Sequence, residues 1–473
     1  PRGWAGETVT HDFETLRLPS LVVGDITTTA EGAEVRVKTA DAQQLFWACV
    51  RAEAEDPTEF TQVEAAEEVT VQLTGLMPDT EYRFCAYVAD ADSRSDLAAK
   101  NFRTAAPDAT DLSAAGTANC YVVTAPGVYS FAADVRGNGV SANNDQESKH
   151  FEAAIAVGAD WSADWLWASA EGLVSNVTLD AASKRIRFEA SAQRGNAVLA
   201  LFDGAQQLVW SWHIWATSGV KDVACTNYDG EQFTIMDRNL GEWDQPDGSL
   251  SSYDGLKYQW GRKDPYVGFS SAGAILDGSI VYGDPDYQPM VGFATSTESD
   301  AATLREAIQF PEMFFTGNYT NMFDWYGLGG SDDAETLSHR NDYLWGNPDE
   351  TSPVKTIYDP CPEGYMVAPV KVFTGFTATG GMVFDSSSIL SDGSFNDGWT
   401  FTNANSFFPA AGQMANNSGV LRLIPGPQGR EGYYWTSSVD EGRSKIVDFN
   451  ASYVMYNSNM RASGCSVRCV RVF

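Results

Sequence analysis

The chain is short of positive charge, of histidine and of long apolar runs, and each shortage excludes a class of function. Lys and Arg total 31 against 63 Asp and Glu, a net charge of −32, so no basic stripe is available to neutralise nucleic-acid phosphates. No run of about eighteen apolar residues occurs, which leaves no candidate for a membrane-spanning helix, and the polar opening at Pro1 is not read as a signal peptide. The histidines His11, His150, His213 and His339 stand apart from one another and from the cysteines, and no Cys-x-x-Cys is present; no metal and no cofactor are expected. Helix-favouring blocks are scarce as well. What abounds is Gly, Thr, Ser, Val and aromatic residues, the composition of a mostly β chain with many turns.

With 473 residues and 43% hydrophobic residues, about three packed domains are expected. Residues 1–20 read as a leader or linker. From 21 to 105, short alternating runs place Val35/Val37, Leu45/Trp47, Val69/Val71/Leu73 and Tyr82/Phe84/Ala86/Val88 inward at sandwich spacing. Ala105-Ala106-Pro107-Asp108 marks a linker, and a second β-sandwich follows over 106–217. There Ala197–Phe202 and Leu208–Trp215, joined through Asp203-Gly204, predict a hairpin. His213 lies among Trp210, Trp212 and Trp215 with no acid or nucleophile in fixed spacing, so a structural role is expected for it. The segment 218–473 is irregular and rich in Gly, Asp and Trp, with one short helix predicted over 299–309, its apolar face formed by Leu304, Ala307 and Ile308. The strand period returns in Ile446–Val454 and Ser466–Val472, whereas Met455–Ser463 lacks apolar periodicity and reads as a loop between ordered strands, a natural recognition surface. The seven cysteines leave at least one thiol unpaired or paired between chains.

Three resemblances sharpen this reading. Leu73-Thr74-Gly75-Leu76-Met77-Pro78-Asp79-Thr80-Glu81-Tyr82 resembles the tyrosine-corner string of fibronectin type III domains. The second segment, from Asn119-Cys120-Tyr121-Val122-Val123 to Trp210-Ser211-Trp212-His213-Ile214-Trp215, resembles a domain of surface and fimbria-associated proteins of gut-type Gram-negative bacteria. The third resemblance rests on ordered signposts: Met236-Asp237-Arg238-Asn239-Leu240-Gly241, Tyr258-Gln259-Trp260-Gly261-Arg262-Lys263-Asp264-Pro265, Asp359-Pro360-Cys361-Pro362-Glu363-Gly364-Tyr365, Phe408-Pro409-Ala410-Ala411-Gly412, Tyr433-Tyr434-Trp435-Thr436-Ser437-Ser438 and Ser466-Val467-Arg468-Cys469-Val470-Arg471. Together they are similar to the bacterial "major paralogous domain" family and to the variable proteins of diversity-generating retroelements, both of the C-type-lectin-like fold.

That resemblance implies a mostly β, multidomain chain: two N-terminal β-sandwiches followed by an α+β C-type-lectin-like domain whose ligand surface lies between the Trp-Thr-Ser-Ser and Val-Arg-Cys-Val-Arg motifs. By strand parity Val447, Phe449 and Ala451 face one side and Asp448 and Asn450 the other, with Phe449 the inward residue. Lys445, Asp448, Asn450, Tyr453, Met455, Tyr456, Asn457, Asn459 and Met460 are the ligand-binding candidates, Tyr and Asn suiting adaptable contacts. The resemblance also implies a disulfide between Cys361 and Cys469 and structural ion-pair roles for Asp237, Arg238, Arg468 and Arg471.

Gln245-Pro246-Asp247 matches a calcium tripeptide of animal C-type lectins, but it sits near the start of the segment and has no Trp-Asn-Asp partner, so no metal is assigned to it. Cys465 and Cys469 superficially offer the pair used by formylglycine-generating oxidases of the same fold, yet no nucleophile-base set supports an enzyme. The expected function is a cell-surface or fimbria-tip adhesin, outer membrane-anchored or fimbrial in a Gram-negative bacterium, with a host or microbial surface protein or glycan as partner and other fimbrial subunits alongside. The alternative is a carbohydrate-capturing or carbohydrate-processing surface protein with a platform of Trp243, Trp260, Trp325, Trp345 and Trp399.

Overall fold

The computed structural model describes residues 17–140, 151–243, 254–267, 281–282, 291–292, 300–317, 323–326, 341–346, 352–422 and 430–472. Most of the expected leader and the tripeptide at 245–247 lie outside the described residues. The chain is mostly β and divides into two compact units, Pro1–Asp108 and Ala109–Phe473.

In the first unit, β1 (Ser20–Thr28), β2 (Gly32–Ala40), β3 (Gln44–Arg51), β4 (Thr61–Glu64), β5 (Glu68–Thr74), β6 (Glu81–Ala89) and β7 (Ala98–Arg103) form two sheets, ordered β1-β2-β5 and β4-β3-β6-β7. Alternation sends Val35, Val37, Leu45, Val71, Leu73, Phe84, Ala86 and Val88 into a shared core, because successive strand residues face opposite sides. Gly75 supplies the left-handed backbone (φ 72°) that the turn before β6 needs. The Tyr82 hydroxyl then accepts a bond from the Met77 amide at 3.0 Å. Strand order and tyrosine corner make this a fibronectin type III-like domain.

The second unit begins as a β-sandwich. One sheet runs Val174–Asp180, Arg185–Ala190, Gly127–Ala132, Thr110–Asp111; the other runs Val281–Tyr282, Ser162–Ala168, Gly195–Phe202, Leu208–Ala216, Cys120–Val123. The expected hairpin forms, with Asn196 opposite Trp215 and Leu201 opposite Trp210. On one face of Leu208–Ala216, Trp212 packs on Phe131 of the opposing sheet, ring centroids 5.2 Å apart. On the other, Ser211, His213 and Trp215 are also buried, against residues beyond 217. The strand is therefore covered twice, and the boundary drawn at 217/218 falls inside one unit whose core joins Trp212 and Leu199 to Trp260, Trp345 and Trp435.

Residues 218–473 hold long irregular stretches on small sheets. Asp222–Thr226, Gln232–Met236, Cys469–Arg471 and Tyr365–Val367 make one of them. The helix spans Asp300–Gln309 and buries Leu304, Ala307 and Ile308. Its last-turn carbonyl of Ala307 accepts from Arg262 Nη2 at 2.8 Å, which satisfies a group that a helix end leaves without an internal partner. The terminal sheet sets Gly432–Asp440, Arg443–Phe449 and Val454–Asn459 as an antiparallel meander, with Gly464–Val467 parallel beside the first.

Three strand expectations need correcting. Ile446–Val454 is not one strand, since Arg443–Phe449 ends at Phe449 and the Asn450 amide donates to the Tyr453 carbonyl in the turn that leads to Val454–Asn459. Met455–Ser463 is not a loop through its length, since Val454–Asn459 pairs with Arg443–Phe449 from end to end. It is covered by the core on one face only and carries Ser and Asn, which hides its period of two. Ser466–Val472 is not a single strand either. It breaks at Arg468, whose side chain turns into the interior.

Candidate functional site

The terminal meander has two unlike faces. On one, Tyr434, Val447, Phe449 and Val454 join Phe401, Phe376 and Phe408 in an aromatic core. Phe449 has no exposed surface, and its ring meets Phe401 and Tyr434 at 5.7 Å, as strand parity predicts. On the other face, Trp435 and Ile446 enter the main core. Further along that face, Tyr433, Asp448 and Met455 stand opposite one another across three strands, and Asn457 lies opposite Ile446.

The nine candidate residues separate accordingly. Tyr453, Met455, Asn457 and Asn459 gather at this second face and its turn, Asn457 exposed and the others half-buried. Tyr453 donates to Glu431 Oε1 at 3.3 Å, and Asn459 donates to Gln413 Oε1 at 2.8 Å. Lys445 is half-buried and, by register, lies on the Val447 side. Tyr456 also lies on the core side and donates to the Phe373 carbonyl at 2.9 Å. Met460, half-buried, receives Asn416 Nδ2 at its sulfur.

Asp448 and Asn450 are not surface residues, being 5% and 4% exposed. The Asn450 side chain shapes its turn by accepting from the Ser452 amide at 2.8 Å, while its carbonyl takes the Trp399 indole N–H at 2.9 Å. Asp448 is enclosed because Tyr433 and Met455 flank it on both neighbouring strands. Its Oδ1 has no hydrogen-bond partner. Burial first, and the Glu431 charge second, push the Asp448 carboxyl up to about 7, against the opposing bond from Asn457.

The sequence reading missed four members of this face. Glu431 accepts from the hydroxyls of both Tyr433 and Tyr453, and a bridge between Val383 and Val454 brings in Met382 and Phe384. These two are 56% and 70% exposed, with the Phe384 ring 6.4 Å from Tyr453. No local pattern marks residues 382–384, since only the fold places them beside a strand some seventy positions later. The result is an acidic, tyrosine-lined and amide-lined patch with an apolar rim.

Elsewhere the signposts serve the fold. Cys361 and Cys469 form a disulfide, while Cys465 is buried and free. Asp359 accepts from the amides of Cys361 and Val367, each at 2.8 Å, and pairs with Lys355 at 3.4 Å. Arg468 does not form the expected direct ion pair: it donates to Asn239 Oδ1, Ser406 Oγ and the carbonyls of Met236 and Phe407. Arg471 pairs with Asp222 at 2.9 Å, and Arg238 with Asp237 at 3.1 Å.

Asn196 Nδ2 donates to the Gly241 carbonyl, so its Oδ1 must accept, and His213 Nε2 at 2.8 Å is the donor. Burial holds His213 neutral, its pKa lowered to about 3. Four of the five tryptophans of the expected platform are not at the surface: Trp260, Trp325, Trp345 and Trp399 are buried, their indole N–H groups given to the backbone carbonyls of Thr436, Trp260, Arg262 and Asn450, while Trp243 is half-buried.

No family model matches the chain, and no curated protein matches it. Similar solved structures include the fn3 domain of the human collagen alpha-1(XX) chain, 18% identical over 21% of this chain and 95% of that one, with a TM-score of 0.16. The FN1–FN3 domains of chicken CNTN1 are 11% identical over 51% of this chain and 78% of that one, at 0.15. A sensor domain of the anti-sigma factor RsgI4 in Pseudobacteroides cellulosolvens is 14% identical over 20% of this chain and all of that one, at 0.17. Scores this low carry no argument; the fibronectin type III-like assignment of the first unit stands on its strand order and its tyrosine corner.

Proposed function

We propose that the chain is a cell-surface or fimbria-tip adhesin of a Gram-negative bacterium, in which residues 218–473 form a C-type-lectin-like domain that binds a host or microbial surface partner. The binding face is the edge strand Val454–Asn459 with its flanking turn. One observation carries the reading: Met455, Asn457 and Asn459, picked from sequence as contact residues, lie on one face of a strand whose opposite face is locked into an aromatic core, with Tyr453 in the turn beside them. A rigid strand presenting Tyr and Asn binds with little ordering cost. The exposed Met382 and Phe384 add an apolar rim of the kind that marks an interaction site. Support for the lectin-like fold comes from the ordered signposts, whose polar residues tie irregular segments to small sheets. Membership among retroelement-diversified variable proteins belongs to the same proposal.

The test uses beads carrying the full chain, applied to epithelial cells and to bacterial cells. Replacing Tyr453, Met455, Asn457 and Asn459 together by Ser should abolish adherence at a total stability cost of about 2 kcal/mol, taken as about 0.5 kcal/mol for each position. Phe449→Ala should lower stability by about 3–5 kcal/mol instead. Full adherence by the fourfold variant would overturn the assignment of this face.

A further inference from the structure

A second concave surface lies on the sandwich, lined by none of the residues of the terminal meander. A cleft of about 570 Å³ opens between the edge of the Ser162–Ala168 strand, the 202–208 turn and the end of the helix. That volume falls in the range of small-molecule sites, ~300–1,000 Å³. Trp165, Phe202 and Phe310 line it; the first two are half-buried and Phe310 is 39% exposed. Large aromatic surface left partly open in a cleft is surface available to a ligand.

The polar lining narrows the ligand class. Gln206, Gln207 and Gln309 converge on the cleft, and each amide both donates and accepts, as a sugar hydroxyl does. A purely apolar ligand would strip these amides of water without replacing their hydrogen bonds. Among the described residues no Lys, Arg or His lines the cleft, whereas Asp164 and Glu312 do, so the lining disfavours an anion. The turn is held in advance: Asp203 Oδ1 accepts from the amides of Ala205 and Gln207 at 2.9 and 2.8 Å, and Gln206 adopts a left-handed φ of 61°. The Gln206 side chain is steadied by Ser162 Oγ at 3.4 Å.

We propose that this cleft binds a neutral oligosaccharide, the apolar C–H faces of its rings stacked on Trp165 and Phe310 and its hydroxyls met by Gln206, Gln207 and Gln309. The proposal is independent of the terminal face: the aromatic residues differ, and so do the strands that carry them.

The experiment is calorimetry, with tryptophan fluorescence, of the full chain titrated with cellohexaose, maltohexaose, mannohexaose, xylohexaose and hexa-glucosamine. At least one neutral hexaose should bind with a Kd of about 1 mM or tighter. Trp165→Ala and Phe310→Ala should each weaken it about tenfold or more, as loss of an aromatic anchor does, whereas Tyr453→Ser should leave it unchanged. Should Trp165→Ala fail to fold, Phe310→Ala and Gln206→Ala, at exposed positions, decide the matter. Any of the following overturns the proposal: no neutral hexaose binding, binding that survives Phe310→Ala and Gln206→Ala, binding lost in Tyr453→Ser, or salt-sensitive binding confined to the cationic hexa-glucosamine.

Discussion

The two compact units satisfy their backbones in opposite ways. Among the described residues of the first, Thr39 and Thr104 are the buried polar side chains, and the core is otherwise apolar. The second buries Arg136, Arg238, Lys257, Arg262, Lys263, Lys355, Arg461 and Arg468. The difference follows from how much of each unit lies in paired strands. Strands of four to nine residues pair with each other in the first unit, so ladders meet most of the backbone's hydrogen-bonding need. The second unit folds long irregular stretches inward, and carbonyls that have no ladder partner take side-chain donors instead: Gln259 gives Nε2 to the carbonyls of Phe315 and Ala462, each at 2.7 Å, and Lys355 gives Nζ to that of Cys361 at 2.6 Å. A core of this kind is intolerant, since each lost donor leaves a buried acceptor unpaired.

The largest expected effect breaks that contrast at Arg468. Arg468→Met removes the donor to two backbone carbonyls and two side chains and should cost at least about 3 kcal/mol. Arg468→Lys should not restore it, because an ammonium cannot span positions that a planar fork reaches. Calorimetric unfolding should show the transition of the second unit falling while that of the first holds. Equal stability in Arg468→Met would mean that the buried cations are incidental.

Next comes the crosslink. Cys361 and Cys469 close a separation of 108 residues, so Cys361→Ala with Cys469→Ala should destabilise the second unit by about 2–4 kcal/mol, with a ceiling near 4.7 in the chain-entropy model. The first unit holds Cys49 and Cys85 as free thiols and should be indifferent to reductant. Denaturant titration with and without reductant reads both; a shift of the first transition would put a bond where none is seen.

A pH-dependent effect tests whether every buried charge is structural. Asp448 has a folded pKa raised from the ordinary 3.8 to about 7. Between those values the folded state holds the proton that the unfolded state has lost, so stability falls as pH rises through this window and the full penalty stands above it. Asp448→Asn should therefore match the natural chain at low pH and be the more stable at about pH 8. His213, lowered to about 3, acts with the opposite sign: its neutral form supports the fold above the ordinary 6.5, and stability is lost as pH falls toward 3 in both proteins. If the gap between the two proteins stayed constant with pH, Asp448 would not be the titrating group.

This contrast also decided what could be read from sequence. The first unit was legible because its strands are half-buried, so Val35/Val37 and Val69/Val71/Leu73 alternate with polar neighbours. The helix was legible through Leu304, Ala307 and Ile308. Leu208–Ala216 was readable as a strand but not as a junction, since Trp212 faces the sandwich while Ser211 and His213 face the rest of the unit, and a strand covered twice has no outward parity. The disulfide was reachable only by resemblance. At the candidate face, parity placed Phe449 correctly and Asp448 opposite it, but parity states a side and not a depth: the buried state of Asp448 depends on Tyr433 and Met455, and the face is completed by Met382 and Phe384 from a distant segment.

The smallest prediction comes from the first unit. The Tyr82 hydroxyl is the acceptor for the Met77 amide, the same kind of side-chain service to the backbone that Arg468 performs. Its setting differs, because Met77 is 54% exposed and sits at a turn where water can take over when the hydroxyl is removed. Tyr82→Phe leaves the ring in place beside Phe102, at 5.9 Å, and deletes only the oxygen. The cost should be that of one ordinary neutral hydrogen bond, about 0.5–1.5 kcal/mol, well below that of Arg468→Met. Urea unfolding of the first unit measures it against the unchanged second transition. A loss as large as that at Arg468 would show that the corner is sealed from water, and the distinction between a ladder-satisfied unit and a cation-satisfied one would fail at this point.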